Sequence, residues 1–265
     1  MSEREVALVS GASSGIGAGV ARRLAADGAA VVVCGRDEGR CEAVRAEIEA
    51  AGGLAWTVPF DLTDPAATRD AIERARRAAA SVGPISWLVN NAGVVRTAPL
   101  LPREGESNDE LFELHLALNL HGARRLIELL VPDMIESGFG RVVNVASSAA
   151  LRGYPYAAAY AASKHALLGY SLVAAEELAR TGVGLNVVCP HYVDTPLTIA
   201  AAERAAASAN KSVKLVLRTF ARANPGGRLV SIDEVAVAVT ELIAGTENGR
   251  IVELDGTEMM KEVVR

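Results

Sequence analysis

Residues 6–17 read Val-Ala-Leu-Val-Ser-Gly-Ala-Ser-Ser-Gly-Ile-Gly, an apolar strand pattern followed directly by a glycine-rich turn. A helical pattern begins at residue 15, so Gly11, Gly15 and Gly17 lie between the first strand and the first helix. Glycines at this junction allow a tight turn, close approach of the backbone to a phosphate, and packing of the helix on the strand. The unpaired amides and positive dipole end of the helix attract an anion. The stretch therefore predicts a dinucleotide-binding loop, with a plain glycine-rich turn as the alternative.

Beyond this loop, short β-branched runs alternate with longer alanine-rich helical stretches. The pattern predicts an α/β protein with a doubly wound parallel sheet (Rossmann fold) of about seven strands, covered by helices on both faces. The predicted strands are 6–9, 30–34, 54–58, 87–89, 142–145, 185–188 and 251–254. The predicted helices are 15–27, 38–51, 65–82, 109–137, 157–181, 197–222 and 232–244. Right-handed crossovers bring the carboxyl ends of the strands to one edge, where ligands bind.

Composition and charge narrow the function classes. The chain has 265 residues, 50% of them hydrophobic, and no linker, which predicts a single dinucleotide-binding and catalytic domain over 1–265. A formal net charge of −5 and the lack of a basic arm argue against nucleic-acid binding. Cys34, Cys41 and Cys189 show no repeated spacing and are interpreted as reduced thiols. With no signal peptide or membrane-spanning run, a cytoplasmic protein without membrane contact is expected.

The end of the second strand, Cys34-Gly35-Arg36-Asp37, bears on the choice of nicotinamide cofactor. An acidic residue at the strand's end would bind the ribose hydroxyls of NAD(H), whereas an arginine can accept the 2′-phosphate of NADP(H). Gly35 followed by Arg36 favours NADP(H). In the alternative, Arg36 is only solvated and the cofactor is NAD(H).

A catalytic constellation follows from four further positions. Tyr160 and Lys164 are four residues apart in a predicted helix and therefore share a face. A neighbouring ammonium favours phenolate, so the pKa of Tyr160 is expected to fall from about 10 towards working pH. The phenol can then protonate an alkoxide or deprotonate an alcohol. Ser147 follows the strand 142–145, and Asn119 lies in the helix after Asn90-Asn91-Ala92-Gly93. For the Tyr–Lys pair alone, an exposed helix pair is the alternative.

Together these motifs resemble the short-chain dehydrogenase/reductase family, with a ketoreductase or 3-oxoacyl reductase-like member as the nearest type. The resemblance extends from Val6 to about Gly256. It implies a catalytic tetrad of Asn119, Ser147, Tyr160 and Lys164. In the implied roles, Ser147 orients the carbonyl, Tyr160 donates the proton, Lys164 lowers the Tyr160 pKa and binds the nicotinamide ribose, and Asn119 holds a water through its backbone.

The loop motifs and the resemblance also predict the contacts of each ligand. The expected cofactor-binding residues are Gly11, Ser13, Ser14, Gly15, Ile16, Gly17, Arg36, Asp61, Leu62, Asn91, Ala92, Gly93, Tyr160, Lys164, Pro190, Val193 and Thr195. The expected substrate contacts are Ala149, Leu151, Tyr154, His191 and Tyr192. His191 stands where the family usually has glycine, and it is either a packed histidine or a residue that faces the substrate. The remaining histidines lack ligand spacing, so no metal site is expected.

The expected function is an NADP(H)-dependent oxidoreductase that transfers a hydride between nicotinamide and a carbonyl or secondary alcohol carbon, acting on a hydrophobic ketone or a 3-oxoacyl thioester. The alternatives are an NAD-dependent alcohol dehydrogenase of the same family and a non-catalytic dinucleotide-binding sensor. A segment at about 197–224 is expected to cap the substrate. Its five cations (Arg204, Lys211, Lys214, Arg218 and Arg222) either form a solvated helix face or attract an anionic CoA or acyl-carrier thioester. The resemblance further implies a homotetramer or homodimer.

Overall fold

The computed structural model describes residues 4–257 and 260–263. Its strands are β1 (Val6–Val9), β2 (Ala30–Gly35), β3 (Leu54–Pro59), β4 (Ile85–Asn90), β5 (Gly140–Val145), β6 (Val183–Pro190), β7 (Ile251–Leu254) and β8 (Lys261–Glu262). They form one sheet in the order β3-β2-β1-β4-β5-β6-β7-β8, parallel from β3 to β7. The strand order reverses beside β1, which opens a crevice at the carboxyl ends of β1 and β4. The predicted doubly wound sheet is confirmed.

Helices cover both faces of this sheet. They are α1 (Gly15–Ala26), α2 (Glu38–Ala50), α3 (Pro65–Ala79), α4 (Asp109–His115), α5 (Ala123–Glu136), α6 (Ala158–Leu178), α7 (Pro196–Ala209), α8 (Val213–Ala223) and α9 (Ile232–Ala244). Along β1, Val6 and Leu8 pack into the layer with α3, α5 and α6, while Ala7 and Val9 pack into the layer with α1, α2 and α9. Successive strand residues therefore serve opposite layers, as a sheet buried on both faces requires. Within residues 4–257 and 260–263, no helix has the length and apolar character to cross a bilayer.

The predicted helical stretch 109–137 is helical from 109 to 136, but it is not α-helical throughout. A π-helical segment, Leu116–Gly122, lies between α4 and α5 and contains Asn119. Such wide turns are rare inside helices and occur mostly at functional sites. Apolar periodicity did not reveal it. In this segment the Asn119 side chain bonds to Val94, which follows β4.

The capping segment differs from the prediction as well. The predicted helix 197–222 is two helices, α7 and α8, because Asn210 adopts the left-handed conformation (φ 50°) and ends α7. Asparagine is among the few non-glycine residues that adopt this conformation readily. Ser212 then caps α8 through the Leu215 amide. Ala202, Ala206 and Val216 form a small apolar cluster between the two helices, separate from both sheet layers. We call this pair of helices, 196–223, the capping hairpin.

Candidate active site

The crevice beside β1 holds a cavity of about 470 Å³ at the carboxyl edge of the sheet. It brings together most of the residues predicted to bind the cofactor. Those that line it are Gly11, Ser13, Ser14, Gly15, Ile16, Arg36, Leu62, Asn91, Ala92, Gly93, Tyr160, Lys164 and Thr195. Residues that are distant in sequence, from the glycine loop to α6, therefore share one elongated groove.

The glycine loop has the shape of a phosphate cradle. Gly11 has a φ of +65°, and a Cβ atom there would lie 2.7 Å from the Ala92 Cα. A Cβ atom on Gly17 would lie 2.3 Å from the Gly11 carbonyl oxygen. Ser14 precedes α1 without capping it through its side chain, so the amides of the first turn keep their hydrogen-bonding capacity for an anion. The loop therefore fits the pyrophosphate of a dinucleotide.

The far end of the groove is cationic. A Cβ atom on Gly35 would lie 2.9 Å from the Cys41 Sγ, so the last position of β2 has no room for an acidic side chain. Arg36 and Arg40 are exposed and line the groove there. The Asp37 carboxylate caps α2 by accepting from the Arg40 amide at 3.0 Å. Arg40 was not predicted as a cofactor contact. Its position in the first turn of the helix after β2 was the sequence signal that could have indicated it. The Arg40 Nε also lies 3.3 Å from the Asp37 Oδ2, so Arg40 already has an anionic partner. Guanidinium groups at this end, that of Arg36 above all, suit a phosphate ester.

The other end of the groove holds Tyr160 and Lys164. The Ser147 hydroxyl lies near enough to the Tyr160 phenol to influence its pKa, and the buried Lys164 Nζ donates to the Val145 carbonyl at 2.9 Å. Burial raises the pKa of Tyr160 to about 12, against the smaller lowering effect of Ser147. Burial likewise lowers the pKa of Lys164 to about 8. The expected lowering of the Tyr160 pKa is therefore wrong for the protein alone, because loss of hydration outweighs stabilisation of the phenolate.

Asn119 lies behind this group in the π-helical segment. Its Oδ1 accepts from the Val94 amide at 2.8 Å, and its Nδ2 donates to the Val94 carbonyl at 3.1 Å. The same Nδ2 donates to the Ser163 Oγ at 3.0 Å. The side chain thus joins the segment after β4 to α6. The water relay through its backbone stays a prediction.

Several predicted cofactor residues do not line the groove. Gly17 packs beneath the loop, Asp61 accepts from the Thr63 amide at 2.9 Å, Pro190 ends β6, and Val193 bridges to Val230. Contact of these four residues with a cofactor stays a prediction. The groove also has lining residues that were not predicted as cofactor contacts: Ser10, Cys34, Asp37, Phe60, Val94, Leu118, Val145, Ala146, Pro196 and Leu197. Most of them adjoin a predicted residue at a strand end, which was the only signal for them.

Aromatic rings dominate the side where substrate contacts were predicted. Tyr154 and Tyr192 meet edge to face with ring centroids 6.2 Å apart. Tyr192 also stacks on Phe220 of α8 at 4.5 Å, and the Tyr154 hydroxyl lies 2.8 Å from the Ser148 Oγ. Ala149 is buried and Leu151 partly buried in the turn after Ser147. These rings connect the capping hairpin to the segment around Tyr160.

His191 has an ionic environment. Its side chain is 1% exposed, and its Nε2 lies 2.7 Å from Glu253 Oε1. Arg152 pairs with the same carboxylate oxygen. This placement favours the packed histidine over the substrate-facing one. Substrate contact by His191 stays a prediction.

Comparisons with known proteins agree with this geometry. The family model described as short chain dehydrogenase matches residues 5–206. The chain is 37% identical over 246 residues to a putative ketoacyl reductase of Streptomyces coelicolor, an alignment covering 91% of this chain and 90% of the relative. It is 34% identical over 256 residues to D-beta-hydroxybutyrate dehydrogenase of Cupriavidus necator, covering 95% and 96%. A crystal structure of an actinorhodin polyketide ketoreductase variant with NADPH superimposes with a TM-score of 0.86, at 34% identity and 97% coverage of each chain.

Proposed function

This chain belongs to the short-chain dehydrogenase family and is an oxidoreductase, and we propose that it reduces a hydrophobic ketone or a 3-oxoacyl thioester with NADPH. One observation carries the proposal. A single groove is lined by the guanidinium groups of Arg36 and Arg40 and by the phenol of Tyr160, with Ser147 close to that phenol. A dinucleotide with a 2′-phosphate lying along it would bring its nicotinamide to Tyr160.

The protein's own groups divide between binding and chemistry. The glycine loop and the first turn of α1 would hold the pyrophosphate, while Arg36 and Arg40 would hold the 2′-phosphate. Asn91 and Lys164 would hold the nicotinamide ribose. When bound, NADPH supplies the hydride that reaches the carbonyl carbon.

Ser147 and Tyr160 act on the carbonyl oxygen. The Ser147 hydroxyl would donate a hydrogen bond that orients and polarises this oxygen. Tyr160 would then give its phenolic proton to the developing alkoxide. Because burial raises the Tyr160 pKa to about 12, the phenol keeps its proton at neutral pH. In the protein alone the phenol is therefore in the protonation state that reduction requires.

The cofactor preference is tested by replacing Arg36 with alanine. We expect the Kd for NADPH to rise about 10- to 100-fold, because a charge-assisted hydrogen bond contributes roughly 1.5–3 kcal/mol, and the Kd for NADH to change less than about twofold. Fluorescence titration measures both. Arg69→Ala, at another exposed arginine on α3, is the matched control. Equal losses for the two cofactors would contradict the NADP preference and favour the NAD-dependent alternative.

The capping hairpin supports a thioester substrate. Lys211, Lys214, Arg218 and Arg222 are exposed, and no acidic side chain in the described residues pairs with them. Changing Lys214 and Arg218 together to glutamine is expected to raise KM for acetoacetyl-CoA about fivefold at low salt, since each exposed charge contributes up to about 1 kcal/mol. The effect should disappear at high salt. The matched control changes Arg69 and Arg77 on α3 in the same way. An equal KM in both double variants would mean that the cations of the capping hairpin form only a solvated helix face.

A substrate screen separates the proposed function from its alternatives. Ketones and 3-oxoacyl thioesters are offered with NADPH and with NADH, secondary alcohols are offered with NADP+ and with NAD+, and nicotinamide absorbance is followed. Turnover with NADPH supports the reductase, and turnover only with NAD and alcohols supports the dehydrogenase. NADPH binding without any turnover supports a sensor. Homo-oligomeric assembly and cytoplasmic location stay predictions.

A further inference from the structure

His115, at the end of α4, is fully buried and uses both ring nitrogens. Its Nδ1 lies 2.7 Å from the Leu111 carbonyl oxygen, and its Nε2 accepts from the Arg96 amide at 3.1 Å. A carbonyl can only accept and this amide only donates, so the hydrogen is on Nδ1 and the ring is neutral. Burial, the largest influence, lowers the His115 pKa in the same sense. The ring is therefore a fixed hydrogen-bond acceptor and does not act as a general acid.

His115 holds the backbone segment that follows β4, residues 94–98. We call these residues the wall segment. Alternate amides of this segment are bonded: Val94 to Asn119 Oδ1 at 2.8 Å, Arg96 to His115 Nε2 at 3.1 Å, and Ala98 to the Tyr156 carbonyl at 2.9 Å. His115 and Asn119 thus accept from amides two residues apart in the wall segment, as acceptors on a neighbouring strand would.

The same imidazole contacts the group that performs the chemistry. The ring centroids of His115 and Tyr160 are 6.0 Å apart with an interplanar angle of 68°. Such an edge-to-face arrangement is favourable for aromatic rings. The third acceptor, Tyr156, has a positive φ of 64°, uncommon for a bulky residue, and lies in the turn before α6. The wall segment therefore joins the π-helical region to the start of the helix that carries Tyr160.

We propose that His115 is a positioning residue, whose neutral ring fixes the wall segment through the Arg96 amide and fixes the orientation of Tyr160 through ring contact. The inference rests on the proposed function, because it assigns His115 a role in the same reduction. His115 does not line the dinucleotide groove. Its replacement should consequently affect turnover and leave cofactor binding intact.

The test compares His115→Leu, which removes the acceptor, with His115→Gln, which can supply another. His115→Leu is expected to lower kcat about tenfold, since small displacements of reacting groups reduce rates strongly, and to change the NADPH Kd less than about twofold. Hydrogen exchange in the peptide spanning the wall segment should accelerate. His115→Gln should recover most of the rate and of the exchange protection. His165→Leu is the matched control, because His165 makes the same bond to the carbonyl four residues before it but is exposed on α6.

The outcomes separate the inference from the proposed function. A kcat within twofold of the parent for His115→Leu, or His115→Gln as impaired as His115→Leu, would overturn the positioning role. An NADPH Kd that weakens in parallel with kcat would do the same, since it indicates general damage. If His115→Leu does not fold, the positioning role is tested on His115→Gln alone, by its kcat and by hydrogen exchange in its wall segment. A parent protein without turnover overturns the proposed function. Unchanged hydrogen exchange in the wall segment of His115→Leu instead overturns only the inference that His115 fixes this segment.

Discussion

Replacing Tyr160 with phenylalanine is expected to lower kcat for carbonyl reduction by about 10²–10⁴-fold, the usual contribution of a positioned general acid. The substitution removes the phenolic hydroxyl, but it keeps the ring and its contact with His115. The NADPH Kd should change little, because the loop and the arginines remain. Stopped-flow single-turnover rates and fluorescence titration measure the two quantities separately.

The matched control for Tyr160 is Tyr170→Phe, a partly buried tyrosine further along α6. Its kcat should stay within about twofold of the parent. The pKa of about 12 adds a directional test: reduction begins with the protonated phenol, whereas alcohol oxidation begins with the phenolate and should accelerate as pH rises. A Tyr160→Phe variant that retains a tenth of the parent kcat would remove Tyr160 from the proposed chemistry.

Replacing Gly17 with alanine is expected to weaken NADPH binding roughly 100-fold. The added Cβ would lie 2.3 Å from the Gly11 carbonyl oxygen and 2.4 Å from the Asn91 Nδ2. That Nδ2 donates to the Ser10 and Gly11 carbonyls at 3.1 Å, so the methyl group would separate Asn91 from the loop that it holds. Overpacking of this kind destabilises the local structure by about 1–3 kcal/mol. The structure affected is the loop that cradles the pyrophosphate. Calorimetric titration measures the Kd.

Gly169 provides the helical control for Gly17. A Cβ atom there meets no atom within 4 Å, so Gly169→Ala should keep NADPH affinity and raise the free energy of unfolding by up to about 1 kcal/mol through helix propensity. A Gly17→Ala variant with parental NADPH affinity would show that the loop does not form the cradle.

The sequence predicted the sheet well because the strands are buried on both faces. The seven parallel strands are short, mostly apolar runs between helical stretches, and that alternation indicates an α/β fold. The two-residue strand β8 pairs with β7 through Glu253 and Lys261 and has no apolar run, so it could not be predicted. The left-handed Asn210 divides the capping hairpin, but asparagine occurs in many helices and does not by itself indicate a break.

The site was predictable where chemistry needs a particular residue type. Gly11, Tyr160 and Lys164 are fixed by backbone approach or by helical spacing, and the structure places all three in the groove. The electrostatics were not predictable from spacing. The effect of Lys164 on Tyr160 depends on how deeply each group is buried, which only the packed fold determines. His115 was missed because its role depends on the π-helical segment that follows it.

The separate apolar cluster in the capping hairpin has a consequence for local stability. Its three buried side chains are not continuous with the two sheet layers. The contacts of the hairpin with the rest of the described residues include the Tyr192–Phe220 stack and a bond from Arg204 to the Val95 carbonyl. Because locally stabilised units can open below the free energy of global unfolding, opening of residues 196–223 need not disturb the two sheet layers.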